Sequence, residues 1–200
     1  MKTKKIALIR HGEPKQLGLL LGHTDIELSS LGKQQLTNRF NGLTFDRIIS
    51  SPLKRCAVMA NLIAEERNIK LEIDEQIKEM DFGDWDGLSY DSLWHQTPSI
   101  GDFWQSPTTV TPPNGESFHE FQTRINNWWQ KLIREDESAV VVVTHAGVIK
   151  QILNNLLMAK YSNSHVDNNI VGAYKVNYAG IVNIEVTLDE DGYPWPVLVF

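Results

Sequence analysis

Lys5-Ile6-Ala7-Leu8-Ile9-Arg10-His11-Gly12 is the stretch that decides how this chain is read. Its first five residues predict a buried strand, a short apolar run ending at a residue that can turn. Ligands in open α/β sheets bind just beyond the carboxyl ends of strands. Three useful groups stand at that end. Arg10 can grip an anion with a planar fork, His11 can act as a nucleophile or a base, and Gly12 permits a sharp bend close to a ligand. One histidine at a strand end is more often a polar rim residue, so the triplet needs a partner.

Val143-Thr144-His145-Ala146-Gly147 supplies one. It follows Ala139 to Val143, an apolar, β-branched run expected of a central parallel strand. A helix is predicted from about Gly147 to Leu157. If the two strands are neighbours, both imidazoles face one crevice, and helix N-termini beyond them offer N–H groups to an anion.

Elsewhere strands and helices alternate, which predicts one α/β domain spanning 1–200. Ser29 and Ser30 are candidate N-caps for a helix through Phe40. Asp46 to Ser50 reads as a strand. Ser51 then caps a helix with Pro52 at its first position, where the missing N–H is harmless. That helix carries Leu53, Cys56, Ala57, Ala60, Ile63 and Ala64 on its core face. Leu71-Glu72-Ile73 reads as another strand. Residues 89–115, rich in Trp, Pro, Ser and Thr, lack a period and read as a cap-like insertion. Glu116 to Arg134 is amphipathic, with Phe118, Phe121, Ile125, Trp128 and Leu132 on one side. Tyr174 to Val176 and Ile181 to Leu188, flanking Ala179-Gly180, read as a hairpin.

Composition narrows the function classes. Two hundred residues with 42% hydrophobic and 22% charged content describe an ordinary globule. Cys56 is the only cysteine, which excludes an internal disulfide and a thiolate metal cluster. Together with the lack of a signal peptide this leads us to expect a cytoplasmic protein. No apolar run is long enough to span a membrane. A net charge of −6 argues against a nucleic-acid partner, but leaves small anions open if a few cations converge.

Arg55 and Glu79 are the remaining candidates. Arg55 falls in the first turn of its helix, where a cation is disfavoured unless an anion sits nearby. Glu79 opens Glu79-Met80-Asp81-Phe82-Gly83-Asp84-Trp85-Asp86-Gly87. One carboxylate there suits a general acid, and the others suit turns and N-caps.

The order Arg10-His11-Gly12, Ser51-Pro52-Leu53-Lys54-Arg55, Glu79 before Phe82-Gly83, and Thr144-His145-Ala146-Gly147 resembles the histidine phosphatase superfamily, the phosphoglycerate mutase-like proteins. The likeness covers nearly the whole chain. It implies a three-layer α/β/α fold with a mostly parallel central sheet and helices on both faces. Gly22-His23-Thr24-Asp25 with Leu28-Ser29, the segment Glu79 to Gly87, and Pro113-Asn114-Gly115-Glu116-Ser117 most resemble the α-ribazole-5′-phosphate phosphatases of cobalamin biosynthesis.

The resemblance implies roles. His11 would attack phosphorus in its neutral form to give a phosphohistidine, and nearby Arg10 and Arg55 would favour that form. Glu79 would protonate the leaving oxygen and then activate water. Arg10, Arg55 and His145 would bind the phosphoryl oxygens. Gly12, Gly22, His23, Trp85 and Ala146 are the expected substrate-binding residues. No cofactor and no metal are expected, the arginines taking a metal's electrostatic role. The partner would be a small-molecule phosphomonoester, with neither nucleic acid nor membrane involved.

Other readings stand beside this one. A broad-specificity phosphatase, a phosphoglycerate mutase and a non-catalytic phosphate-binding regulator share the same motifs. Many relatives carry an Asn a few residues after the first Gly, whereas residues 13–21 here have none, with Gln16 a candidate substitute. The Leu-rich part of that loop could line a substrate pocket or rest against another chain, as in a homodimer. Cys56 reads as packing, and His95, His119 and His165 as surface residues. Trp85 and segment 89–115 could stack on a flat leaving group.

Overall fold

The computed structural model describes residues 2–97, 99–136, 138–158 and 175–200. Its sheet is built from β1 (Lys2–Arg10), β2 (Arg47–Ser50), β3 (Lys70–Ile73), β4 (Ala139–Thr144), β5 (Ile181–Leu188) and β6 (Pro194–Val199). The spatial order is β3-β2-β4-β1-β5-β6. The first four strands in that order run parallel, and β5 and β6 add an antiparallel edge.

Among the described residues the α-helices are α1 (Ser30–Phe40), α2 (Lys54–Arg67), α3 (Tyr90–Gln96), α4 (Ser99–Gln105), α5 (Phe118–Leu132) and α6 (Ala146–Met158). Alternate residues of each central strand feed two cores, as the two-residue strand period demands. Ile6, Leu8, Val140 and Val142 pack with α5, α6 and segment 89–115, whereas Ile9, Val141 and Val143 pack with α1 and α2. The result is the three-layer α/β/α arrangement.

The apolar faces fall where periodicity put them. Phe118, Phe121, Ile125, Trp128 and Leu132 of α5 are buried. Ser117 and Glu120 close a capping box that starts this helix after the Pro-rich stretch. Ser29 caps α1 by accepting from the Gly32 N–H.

Two expectations are corrected. Ser51 does not cap α2. Its N–H bonds Val143 O at 3.0 Å, so the chain stays extended to Leu53 and the helix begins at Lys54. Asp25 Oδ1 takes the Lys54 N–H instead, at 2.7 Å. The C-terminal hairpin joins β5 to β6, not the segment before Ala179. Asp189 builds the turn by accepting from the N–H groups of Asp191 and Tyr193 and from Trp195 Nε1. Tyr174 and His165 lie outside the described residues.

Candidate active site

Parallel pairing of β1 with β4 sets Arg10 opposite Thr144, so the two histidine motifs leave the sheet side by side. The ring centroids of His11 and His145 are 5.3 Å apart. Both residues are buried. His11 Nδ1 lies 2.7 Å from Gly12 O, an acceptor only, so Nδ1 carries the proton and Nε2 the lone pair. Gly12 is needed for its small size, since a Cβ would stand 2.1 Å from Gly32 O.

His145 is held from both sides. Its Nδ1 accepts from Arg55 Nε at 3.2 Å, which leaves the proton on Nε2 to be donated to Ser51 Oγ at 2.8 Å. Burial, then Arg55 and Arg10, hold the His11 pKa well below its ordinary value. Burial, then Arg55, His11, Arg10 and His23, do the same for His145. Both rings are therefore neutral near neutral pH.

Arg55 is fully buried. Besides His145, it donates to Thr24 O at 2.8 Å, Gly22 O at 2.5 Å and Leu21 O at 3.4 Å. These carbonyl dipoles explain a cation in the first turn of a helix without any bound anion. The loop that offers them is itself fixed by Asp86, whose carboxylate accepts from the N–H groups of Gly22, His23 and Thr24. A Cβ on Gly22 would meet Met80 O at 2.3 Å. Asp86 is thus the anchor of the Arg55 cradle.

Glu79 approaches from the other side. Its Oε2 accepts from the Gly147 N–H at 3.0 Å and its Oε1 from Met80 N–H at 3.1 Å. Arg124 of α5 pins the chain leading to it by donating to Gln76 O, Lys78 O and Glu79 O. His23 Nε2 lies 3.1 Å from Glu79 O, and its Nδ1 is 3.3 Å from the Asp81 carboxylate.

A cavity of about 360 Å³ opens over this floor. Arg10, His11, Glu79, Ala146 and Gly147 line one end. Leu19, Leu20, Leu21, Phe82, Phe103 and Trp104 are among the apolar residues that line it, with Tyr90, Tyr178 and Lys150 as polar additions. Loop 18–20 is held there by 87–90, through the bonds of Leu20 N to Leu88 O and Gly87 N to Leu20 O. Burial lowers the Lys150 pKa and raises that of Tyr90.

Of the expected residues, Arg10, His11, Glu79 and Ala146 line the cavity. Arg55 and His145 adjoin His11 without lining it. Gly12, Gly22 and His23 support the floor through the bonds above. Trp85 is buried in the core with its ring 5.7 Å from that of Phe103, one layer away from the space it was expected to face. Gln16 is exposed and does not line the cavity, so it does not replace the missing Asn. Cys56 is buried with its thiol pKa pushed up to about 12 by burial, an inert packing group. His95 and His119 are exposed.

Sequence reasoning missed Asp86, Arg124 and Tyr178. The first two are visible only as charges among other charges. Tyr178 stacks on Arg10, with the guanidinium carbon 4.1 Å from the ring centroid. Among the described residues, no three His, Cys, Asp or Glu side chains are grouped to hold a metal ion, and no helix is long and apolar enough to cross a membrane.

The family match and the phosphatases among its relatives make the chain a phosphoric monoester hydrolase. The profile of the histidine phosphatase superfamily (branch 1) matches residues 6–186, and the chain belongs to that superfamily. The adenosylcobalamin/alpha-ribazole phosphatase of Escherichia coli strain K12 is 29% identical over 160 residues, which is 76% of this chain and 79% of that one. Phosphoserine phosphatase 1 of Hydrogenobacter thermophilus is 29% identical over 174 residues, 82% of each chain. The solved alpha-ribazole phosphatase of Shigella flexneri superposes with a TM-score of 0.80 at 22% identity, covering 98% of this chain and 94% of its own. That last likeness is one of fold.

Proposed function

We propose that the protein hydrolyses phosphomonoesters without a metal, through a phosphohistidine on His11, and that α-ribazole 5′-phosphate is its leading substrate. The observation that carries the mechanism is the buried, neutral His11 with Nδ1 tied to Gly12 O and Nε2 holding the lone pair. Nε2 attacks phosphorus as the ester P–O bond breaks, and Glu79 gives the leaving oxygen its proton. Water then attacks phosphorus, Glu79 takes a proton from it, and the P–N bond breaks to restore neutral His11. Arg10 meets the phosphoryl oxygens, and Arg55 and His145 add their field from beside His11.

The cavity wall supports the substrate. An aromatic leaving group burying about 150 Å² against Leu19, Leu21, Phe82 and Trp104 would gain roughly 4 kcal/mol. A small charged acid such as phosphoserine gains little from such a wall. The E. coli relative's name points the same way.

Purified protein should release phosphate in the presence of a chelator, and His11→Ala should abolish release. Retained activity in that variant would sink the mechanism. Across a panel of phosphomonoesters, α-ribazole phosphate should lead in kcat/KM. A flat profile would instead mark a broad-specificity phosphatase.

A further inference from the structure

We infer that Tyr178 is a positioning residue: its ring fixes the Arg10 guanidinium in the cavity wall, leaving Arg10 N–H groups for the phosphoryl oxygens. The inference rests on the reading of Arg10 as a phosphate ligand.

Among the described residues, Arg10 is hydrogen-bonded through its side chain at one corner only. Its Nη1 donates to Val176 O at 2.7 Å, while its Nε is buried and has no hydrogen-bond partner among the described residues. A single hydrogen bond lets a guanidinium swing, and an arginine side chain has much rotamer freedom to lose. The Tyr178 ring supplies the second constraint, lying 4.1 Å from the guanidinium carbon. A ring face beside the guanidinium limits its swing without consuming any N–H. The same ring has its centroid 5.8 Å from that of His11, so one side chain adjoins both the ligand cation and the nucleophile.

The turn that carries Tyr178 is itself fastened to the first motif. Ala179 N–H donates to His11 O at 3.0 Å, and Arg10 N–H donates to Gly180 O at 3.0 Å. Gly180 N–H closes the turn on Asn177 O at 2.9 Å. Ala179 adopts a φ of 50°, a conformation rare for a residue with a side chain. Its carbonyl accepts from Arg39 Nε of α1 at 2.7 Å. The strain is tolerated because these bonds over-determine the turn, and Tyr178 is presented at its tip. A guanidinium already held over this ring has less freedom to surrender when a phosphate arrives.

The test compares Tyr178→Phe, Tyr178→Leu and Tyr178→Met, read by kcat/KM and by calorimetric binding of inorganic phosphate. Phe keeps the ring face and should stay within about 2-fold of the parent on both. Leu and Met fill the volume without a π face and should lose about 3- to 30-fold on both, with the melting temperature of at least one unchanged. Phosphate affinity unaltered in Leu and Met, or a Phe variant that falls as far as they do, would overturn the inference. A parent protein that neither binds phosphate nor turns over esters would overturn the phosphatase reading itself, a distinguishable result.

Discussion

The imidazoles of His11 and His145 stand 5.3 Å apart with their planes inclined by 60°, and neither carries a charge near neutral pH. Two protonated rings at this separation, beside Arg10 and Arg55, would repel strongly. The buried Arg55 sets the relation, because its Nε–H fixes the His145 tautomer. The positive charge of the site therefore resides on the arginines and the lone pair on His11.

Acid should destabilise the fold through these two histidines. Their folded-state pKa values are lowered, so below the ordinary value of about 6.5 the unfolded chain binds protons that the native state refuses. Stability is fully present above that pH and falls as the pH drops toward the depressed folded values. The slope from the pair approaches about 2.7 kcal/mol per pH unit. Urea titrations between pH 8 and 5 should show it, and His145→Gln should flatten it. A stability independent of pH across 7 to 5 would contradict the assignment.

Removing Arg55 should cost both stability and activity. Arg55→Ala leaves Gly22 O, Thr24 O and His145 Nδ1 unpaired in a buried site. The loss expected is roughly 3–5 kcal/mol. Arg55→Lys keeps the charge but loses the fork, and should fall in between. Denaturant midpoints and kcat/KM for each variant check this.

Gly147→Ala should separate activity from stability. A Cβ there would stand 2.2 Å from Glu79 Oε1, the far end of a side chain that can swing aside. The fold should survive with less than about 1 kcal/mol lost. Displacing the carboxylate should lower kcat by about 10- to 100-fold, part of the roughly 100- to 10,000-fold that a positioned proton donor contributes. Unchanged kcat would show that the position of Glu79 is immaterial.

The apolar wall should govern KM for bulky esters. Trp104→Ala should raise KM for aromatic phosphomonoesters by about 10-fold and leave that for phosphoserine within about 2-fold. Equal effects on both would mean that the wall does not bind the leaving group.

What was legible in sequence follows from where each signal is written. Buried parallel strands are apolar runs, so β1 and β4, and with them both histidine motifs, could be read directly. The start of α2 could not. Ser51 bonds across to Val143 O, and sheet pairing overrode the local capping preference of Ser-Pro. Arg55 stands out in the sequence, but apart from His145 the groups that hold it are backbone carbonyls, which no side-chain pattern announces. Trp85 was misplaced because an aromatic near a motif looks alike whether it lines a cavity or backs the residue that does. Tyr178 gave no signal, since its proximity to Arg10 depends on a turn closing over the end of β1.

The phosphohistidine is the central claim, and trapping it is the most direct measurement. Enzyme mixed with ³²P-labelled ester and quenched in alkali within milliseconds should carry label on the peptide containing His11. His11→Ala should carry none. Label on another residue, or steady turnover with no labelled protein at any time point, would contradict the account.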